Sequence, residues 1–122
     1  MKRVLLVDDE PEILETVGEF LTQSGIEVKT AQNGRDALHL VFDRENVFSV
    51  IVSDFMMPIM DGATLYQKTR FKKIPFIMMT SYIDDLKSRE PFNNPDLIIV
   101  DKPLILKDLL TSIENTASEP SS

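Results

Sequence analysis

Residues 48–62 read Phe48-Ser49-Val50-Ile51-Val52-Ser53-Asp54-Phe55-Met56-Met57-Pro58-Ile59-Met60-Asp61-Gly62. An apolar, β-branched run climbs to one carboxylate and gives way to Pro58. Val50, Ile51 and Val52 in succession suit a strand buried on both faces, as in a parallel sheet covered by helices. Open α/β sheets bind their ligands outside the carboxyl ends of their strands, which is where Asp54 falls. Taken alone, the same aspartate also suits a solvated turn at a strand end. Asp61-Gly62 reads as a turn into a helix, with Asp61 as its N-cap.

Working outward, the chain alternates. Lys2-Arg3-Val4-Leu5-Leu6-Val7 is a first strand, ending in Asp8-Asp9-Glu10. Pro11 suits the first turn of a helix. Ile13, Leu14, Val17, Phe20 and Leu21 then repeat at helical spacing, and Gly25 is the expected left-handed cap. Ile26 to Ala31 is a second strand, and Asn33-Gly34 opens a helix carrying Ala37, Leu38, Val41 and Phe42. After Asp61, the pattern Ala63, Leu65, Tyr66 is thin, and Lys72-Lys73-Ile74-Pro75 ends that helix early. Phe76 to Met79 is a fourth strand, reaching Thr80-Ser81. A helix around Ile83 and Leu86 is confined to about two turns by Pro91 and Pro95. Leu97 to Val100 is a fifth strand, reaching Asp101-Lys102-Pro103. Leu106, Leu109, Leu110 and Ile113 mark a last helix. Residues 118–122 read as a disordered tail or the start of a linker. Fivefold strand–helix alternation predicts an α/β fold with a parallel sheet, because each parallel crossover needs a covering helix.

Composition narrows the function. At 122 residues, one domain is expected, with 43% hydrophobic and 27% charged residues, as in ordinary soluble proteins. The chain holds no cysteine, which excludes disulfides, thiolate metal sites and cysteine nucleophiles. No run approaches the roughly 20 apolar residues of a membrane span. The apolar run before Asp8 is shorter than the roughly 7–15 residues of a signal-peptide core, so a cytoplasmic location is expected. A net charge of −7 and a pI near 4.6 argue against direct nucleic-acid binding by this domain.

In a parallel sheet, Asp8 and Asp9, Asp54, Thr80 and Lys102 all lie along one edge. Each has an ordinary reading by itself: Asp8-Asp9 as a favourable charge at a helix N-terminus, Thr80 as a strand-end hydroxyl, Lys102 as a surface cation. Together they make a chemistry. Three clustered carboxylates raise one another's pKa, and a hard divalent cation relieves that conflict. Mg²⁺ takes oxygen ligands and is typically shared with phosphate. A carboxylate can attack phosphorus, and a lysine can offset the charge on the transferring group. Met56, Met57, Met60, Met78 and Met79 read as filling rather than a soft-metal site. With one histidine, His39, and no cysteine, copper and zinc lack ligands.

Val7-Asp8-Asp9-Glu10, the run from Asp54 to Gly62, Met79-Thr80-Ser81 and Asp101-Lys102-Pro103 together resemble the receiver domain of two-component response regulators. The resemblance covers residues 1–117. It implies a flavodoxin-like (βα)5 three-layer sandwich with strand order 2-1-3-4-5. It implies Asp54 as phosphoacceptor, with Asp8, Asp9, Asp54 and the Met56 backbone carbonyl holding Mg²⁺ or Mn²⁺. Thr80 and Lys102 would bind the phosphoryl oxygens, and the peptide between Lys102 and Pro103 would be cis. The implied donor is a sensor histidine kinase or a histidine phosphotransfer protein. The output is a change in partner binding, by a monomer or a phosphorylation-linked dimer.

Ile99 departs from the pattern, because receivers usually carry Tyr or Phe there as a switch coupled to the hydroxyl residue. Tyr82 and Phe92 are the nearest aromatics, and neither occupies the matching place. Ile99 therefore supports an alternative, a pseudo-receiver that acts as an interaction domain without cycling. A phosphohydrolase with an aspartate nucleophile fits less well, because Met56 stands where such enzymes want a second carboxylate within hydrogen-bond reach. Met56 and Tyr82 also leave few groups to orient a water for hydrolysis, so a slowly hydrolysing phosphorylated state is expected. Replacing Met56 with Asn or Glu should shorten its lifetime, as followed by loss of the phosphoryl adduct over time. An unchanged lifetime contradicts this explanation.

Overall fold

The computed structural model describes residues 2–82 and 97–116. Five strands, β1 (Arg3–Val7), β2 (Glu27–Ala31), β3 (Val50–Asp54), β4 (Phe76–Thr80) and β5 (Leu97–Asp101), form one sheet. All neighbouring pairs are parallel, in the order β2-β1-β3-β4-β5. Among the described residues, four helices cover it: α1 (Pro11–Gln23), α2 (Gly34–Phe42), α3 (Gly62–Thr69) and α4 (Leu106–Thr116). The expected helix around Ile83 and Leu86 and the expected tail at 118–122 lie outside the described residues. Among the described residues, no helix is long and apolar enough to cross a membrane.

Strand alternation divides the core into two layers. Leu5, Val7, Ile51 and Met78 face one side, where they meet Ala37 and Val41 of α2 and Leu65 and Tyr66 of α3. Val4, Leu6, Val50, Val52, Ile77 and Met79 face the other, against Leu14, Val17 and Leu21 of α1 and Leu109 and Ile113 of α4. The result is the three-layer sandwich expected from the alternation. Every residue of β3 and β4 is buried, because both strands are covered on both faces. β2 is one of the two edge strands, and Glu27, Lys29 and Thr30 are exposed on it, so its sequence does not run apolar as those of β3 and β4 do.

Local signals set the helix starts. The Asn33 side chain accepts from the Asp36 N–H at 2.9 Å and caps α2. Asp61 accepts from the Thr64 N–H at 2.8 Å and caps α3. Pro11 opens α1 without a side-chain cap. Gly25 follows α1 at φ +88°, as a left-handed terminator requires. The helix expected to end early does so at Thr69, but a 3-10 turn (Arg70–Lys72) prolongs it, closed by Lys73 in left-handed geometry.

The connection from β3 to α3 is pinned on several sides. The Phe55 N–H donates to Met79 O and the Gly62 N–H to Phe55 O, both at 2.9 Å, while the Gly34 N–H of α2 donates to Met60 O at 3.0 Å. A Cβ on Gly62 would lie 2.3 Å from Asp54 O and 2.8 Å from Met78 Sδ. Only glycine lets α3 start this close to the strand end that carries Asp54. Gly62→Ala is therefore expected to lower stability by about 1–3 kcal/mol, the usual cost of overpacking. Urea unfolding checks this, and an unchanged midpoint would show that the loop relaxes freely.

Candidate functional site

Parallel register brings the carboxyl ends of β1, β3, β4 and β5 together. Asp54 pairs across the sheet with Met79, and Thr80 with Asp101, so the side chains after these positions converge above the same edge. Asp9, Asp54, Met56, Thr80, Ser81, Tyr82 and Lys102 line a cavity of about 230 Å³. Asp54 and Thr80 are buried in its floor, and Asp9 is exposed at its rim. Lys102 Nζ lies 2.7 Å from Asp54 Oδ1. Burial pulls the Lys102 ammonium down, but the hydrogen bond and charge of Asp54, with smaller help from Asp8 and Glu10, outweigh it and leave the pKa above its ordinary value. The lysine is thus a fixed cation aimed at the central carboxylate.

Asp8 is fully buried at the end of β1. Its Oδ1 accepts from the Glu10 N–H at 3.0 Å, while its Oδ2 has no hydrogen-bond partner among the described residues. Burial raises its pKa from 3.8 to about 6, against the Glu10 N–H and Lys102, which lower it, and with Asp54 and Asp9 adding to the rise. A buried carboxylate oxygen without a donor is costly, and a proton or a cation would satisfy it. Asp8, Asp9 and Glu10 offer carboxylate oxygens within 4.8 Å of one another. This all-oxygen, anionic donor set fits a hard divalent cation such as Mg²⁺ or Mn²⁺.

Glu10 joins this cluster beyond the ligands expected from the sequence, and the unbroken Asp8-Asp9-Glu10 run is its signal there. Asp54 is engaged with Lys102 and shares its cavity with Asp9 and Glu10 of that cluster. Met56 lines the cavity with its side chain exposed. Thr80 Oγ1 accepts from the Tyr82 N–H at 2.9 Å, and the Tyr82 ring is exposed. Ile99 sits opposite Met78 in the β4–β5 ladder and packs, partly buried, against the core on the α2–α3 side. The peptide between Lys102 and Pro103 is cis. His39 is exposed on α2.

The sequence profile described as "Response regulator receiver domain" matches residues 4–114. The chain is 34% identical over 113 residues to the regulatory protein VanRB of Enterococcus faecalis, covering 92% of this chain and 50% of that protein. It is 32% identical over 130 residues to the transcriptional regulatory protein SrrA of Staphylococcus aureus, covering 96% of this chain and 52% of that protein. The chain therefore spans about half the length of these curated relatives. Among solved structures it is similar to the response regulator protein TrrA of Thermotoga maritima in complex with Mg²⁺–BeF, with a TM-score of 0.82, 31% identity and coverage of 95% of this chain and 99% of that one. The chemotaxis response regulator CheY4 of Vibrio cholerae gives a TM-score of 0.81, 30% identity and coverage of 95% and 98%.

The raised Asp8 pKa has a testable sign. Between about pH 4 and pH 6 the native state holds a proton that the unfolded chain has released, so this residue's contribution to stability is present at acid pH and lost as pH rises through 6. Its full loss is up to about 3 kcal/mol at 1.36 kcal/mol per unit. In chelator, Asp8→Asn is expected to gain stability relative to the unsubstituted chain as pH rises from 4 to 7. A stability difference that does not change with pH contradicts this account.

Proposed function

The chain belongs to the response regulator receiver family, and from that premise we propose that it takes a phosphoryl group onto Asp54 and switches partner binding in response. The observation that carries the reading is the Lys102 ammonium 2.7 Å from the Asp54 carboxylate, in a cavity that is also lined by Thr80 and Asp9. An Asp54 oxygen attacks phosphorus in a phosphohistidine of a sensor histidine kinase or a histidine phosphotransfer protein. The P–O bond forms, the P–N bond breaks, and the electron pair leaves on the imidazole nitrogen. Lys102 then exchanges part of its contact with Asp54 for a phosphoryl oxygen, so part of the negative charge that gathers is met by a cation already in place. The Thr80 hydroxyl donates to a second phosphoryl oxygen.

Asp8 and Asp9, with Asp54, the Met56 backbone carbonyl and a supporting Glu10, would hold Mg²⁺ or Mn²⁺. Bound there, the ion would neutralise charge on the carboxylates and the phosphoryl group. The unpartnered Asp8 Oδ2 supports this assignment. The domain is a substrate of transfer rather than an enzyme that turns over small molecules. It extends over residues 1–117, with 118–122 as a tail or linker, and works in the cytoplasm as a monomer or a phosphorylation-linked dimer.

The switch runs through Thr80. Its Oγ1 now holds the Tyr82 N–H, and drawing that hydroxyl toward phosphate strains or breaks the 2.9 Å bond and biases the following segment. Ile99 in place of the usual aromatic favours a second reading, a pseudo-receiver that binds its partner without cycling. Intact mass after incubation with acetyl phosphate and Mg²⁺ separates the two. The expected result is one phosphoryl adduct, abolished by chelator and by Asp54→Asn, and formed about 10²-fold more slowly in Lys102→Ala. No adduct, together with no response to beryllofluoride, favours the pseudo-receiver.

A further inference from the structure

A second surface lies at the opposite edge of the sheet. The segment between α2 and β3 and the 3-10 turn before β4 enclose a groove of about 480 Å³, lined by Val41, Val47, Phe48, Phe71, Lys72 and Ile74. Its rim exposes large apolar side chains: Phe71 is 65% accessible, Phe42 47% and Val47 42%. The Phe42 and Phe71 rings stack at 5.8 Å between centroids. Lys72 Nζ lies 5.1 Å from the centre of the Phe42 ring and donates to Val41 O at 3.2 Å, so the wall is held in shape. Isolated exposed apolar residues are ordinary, whereas a contiguous apolar groove with a polar rim marks an interaction site.

Charge identifies the occupant. The chain is acidic overall, at −7, yet Lys68, Arg70, Lys72 and Lys73 fall within six residues that contain no acid, and Arg44 lies across the groove. All five are exposed, and none forms an ion pair within 4 Å among the described residues. Asp43, which lines the groove, and Glu45 are the acids of the facing loop, and Asp43 Oδ1 accepts from the Glu45 N–H at 3.0 Å, so two acids stand against five cations around this surface. We propose that this groove docks an acidic, amphipathic peptide segment of a partner protein, with apolar side chains in the groove and carboxylates toward Arg44 and Lys72, which line it, and toward the neighbouring Arg70, whose guanidinium lies over the Tyr66 ring, and Lys73. An isologous pairing of two copies would set these cations against each other. The aliphatic lining from Val41, Val47 and Ile74, with no aromatic platform among the described residues of the groove other than Phe48 and Phe71, suits apolar side chains better than a run of stacked bases.

The probe is a designed helical peptide with glutamates on one face and leucine and phenylalanine on the other, titrated into the whole chain and followed by amide chemical shifts. The control peptide replaces every glutamate with lysine. Shifts confined to residues 41–48 and 70–74 with the acidic peptide, weakened about tenfold or more by Phe71→Ser and by Arg44→Glu with Arg70→Glu, are expected. Both variants alter exposed side chains, and unchanged shifts elsewhere show that they fold. Equal binding of the two peptides, shifts centred on Asp54, no shift at about millimolar peptide, or tighter binding of a single-stranded oligonucleotide at this groove each overturns the proposal. Peptide-independent self-association through the groove would also overturn it.

Discussion

The Asp54–Lys102 contact is the interaction on which the site depends. Asp54 ends a strand with no exposed residue, and Asp8 beside it is fully buried. Such carboxylates are tolerable only if something positive is held near them. Lys102 supplies that charge from just beyond the end of β5, two strands away from β3 in the sheet, and therefore only if the parallel register is correct. The sheet order, the glycine that lets α3 begin against the Asp54 carbonyl and the pinned loop after it all serve to keep that carboxylate and that ammonium within 2.7 Å.

One cation is not enough for the whole edge. Lys102 is already committed to Asp54, and Asp8 keeps one oxygen without a donor among the described residues. The deficit explains why burial drives its pKa to about 6 and why the neighbouring Asp9 and Glu10 carboxylates fit a divalent ion. Stability is sacrificed at a place where chemistry is expected, as is usual for sites that rely on preorganised charge. Thr80 adds a hydroxyl whose oxygen already accepts from the Tyr82 N–H two residues on.

Much of this was legible before any coordinates. Val50-Ile51-Val52 and Phe76 to Met79 are unbroken apolar runs because both strands are covered twice, and Asn33 and Asp61 cap their helices as their side chains dictate. The convergence of Asp8, Asp9, Asp54, Thr80 and Lys102 followed from strand ends alone once the sheet was parallel. Other features depend on tertiary context. Ile59 takes φ +70°, a conformation its β-branched side chain disfavours, because Met60 is fixed on one side by Pro58 O and on the other by Gly34. The 3-10 turn after Thr69 and the stacked Phe42 and Phe71 rings bring together residues far apart in sequence, and no periodicity announces them. Glu10 was visible as an acid but not as a neighbour of the other two within ligand range.

The central claim is that Asp54 itself becomes the acyl phosphate. The direct measurement is to trap the phosphorylated chain with borohydride, which reduces an aspartyl phosphate to homoserine, and then to map the modified residue by peptide mass. Homoserine at position 54 alone, formed only when divalent metal was present during phosphorylation, is the predicted result. Homoserine at Asp8 or Asp9, or phosphate retained on Thr80 or His39, would contradict the account.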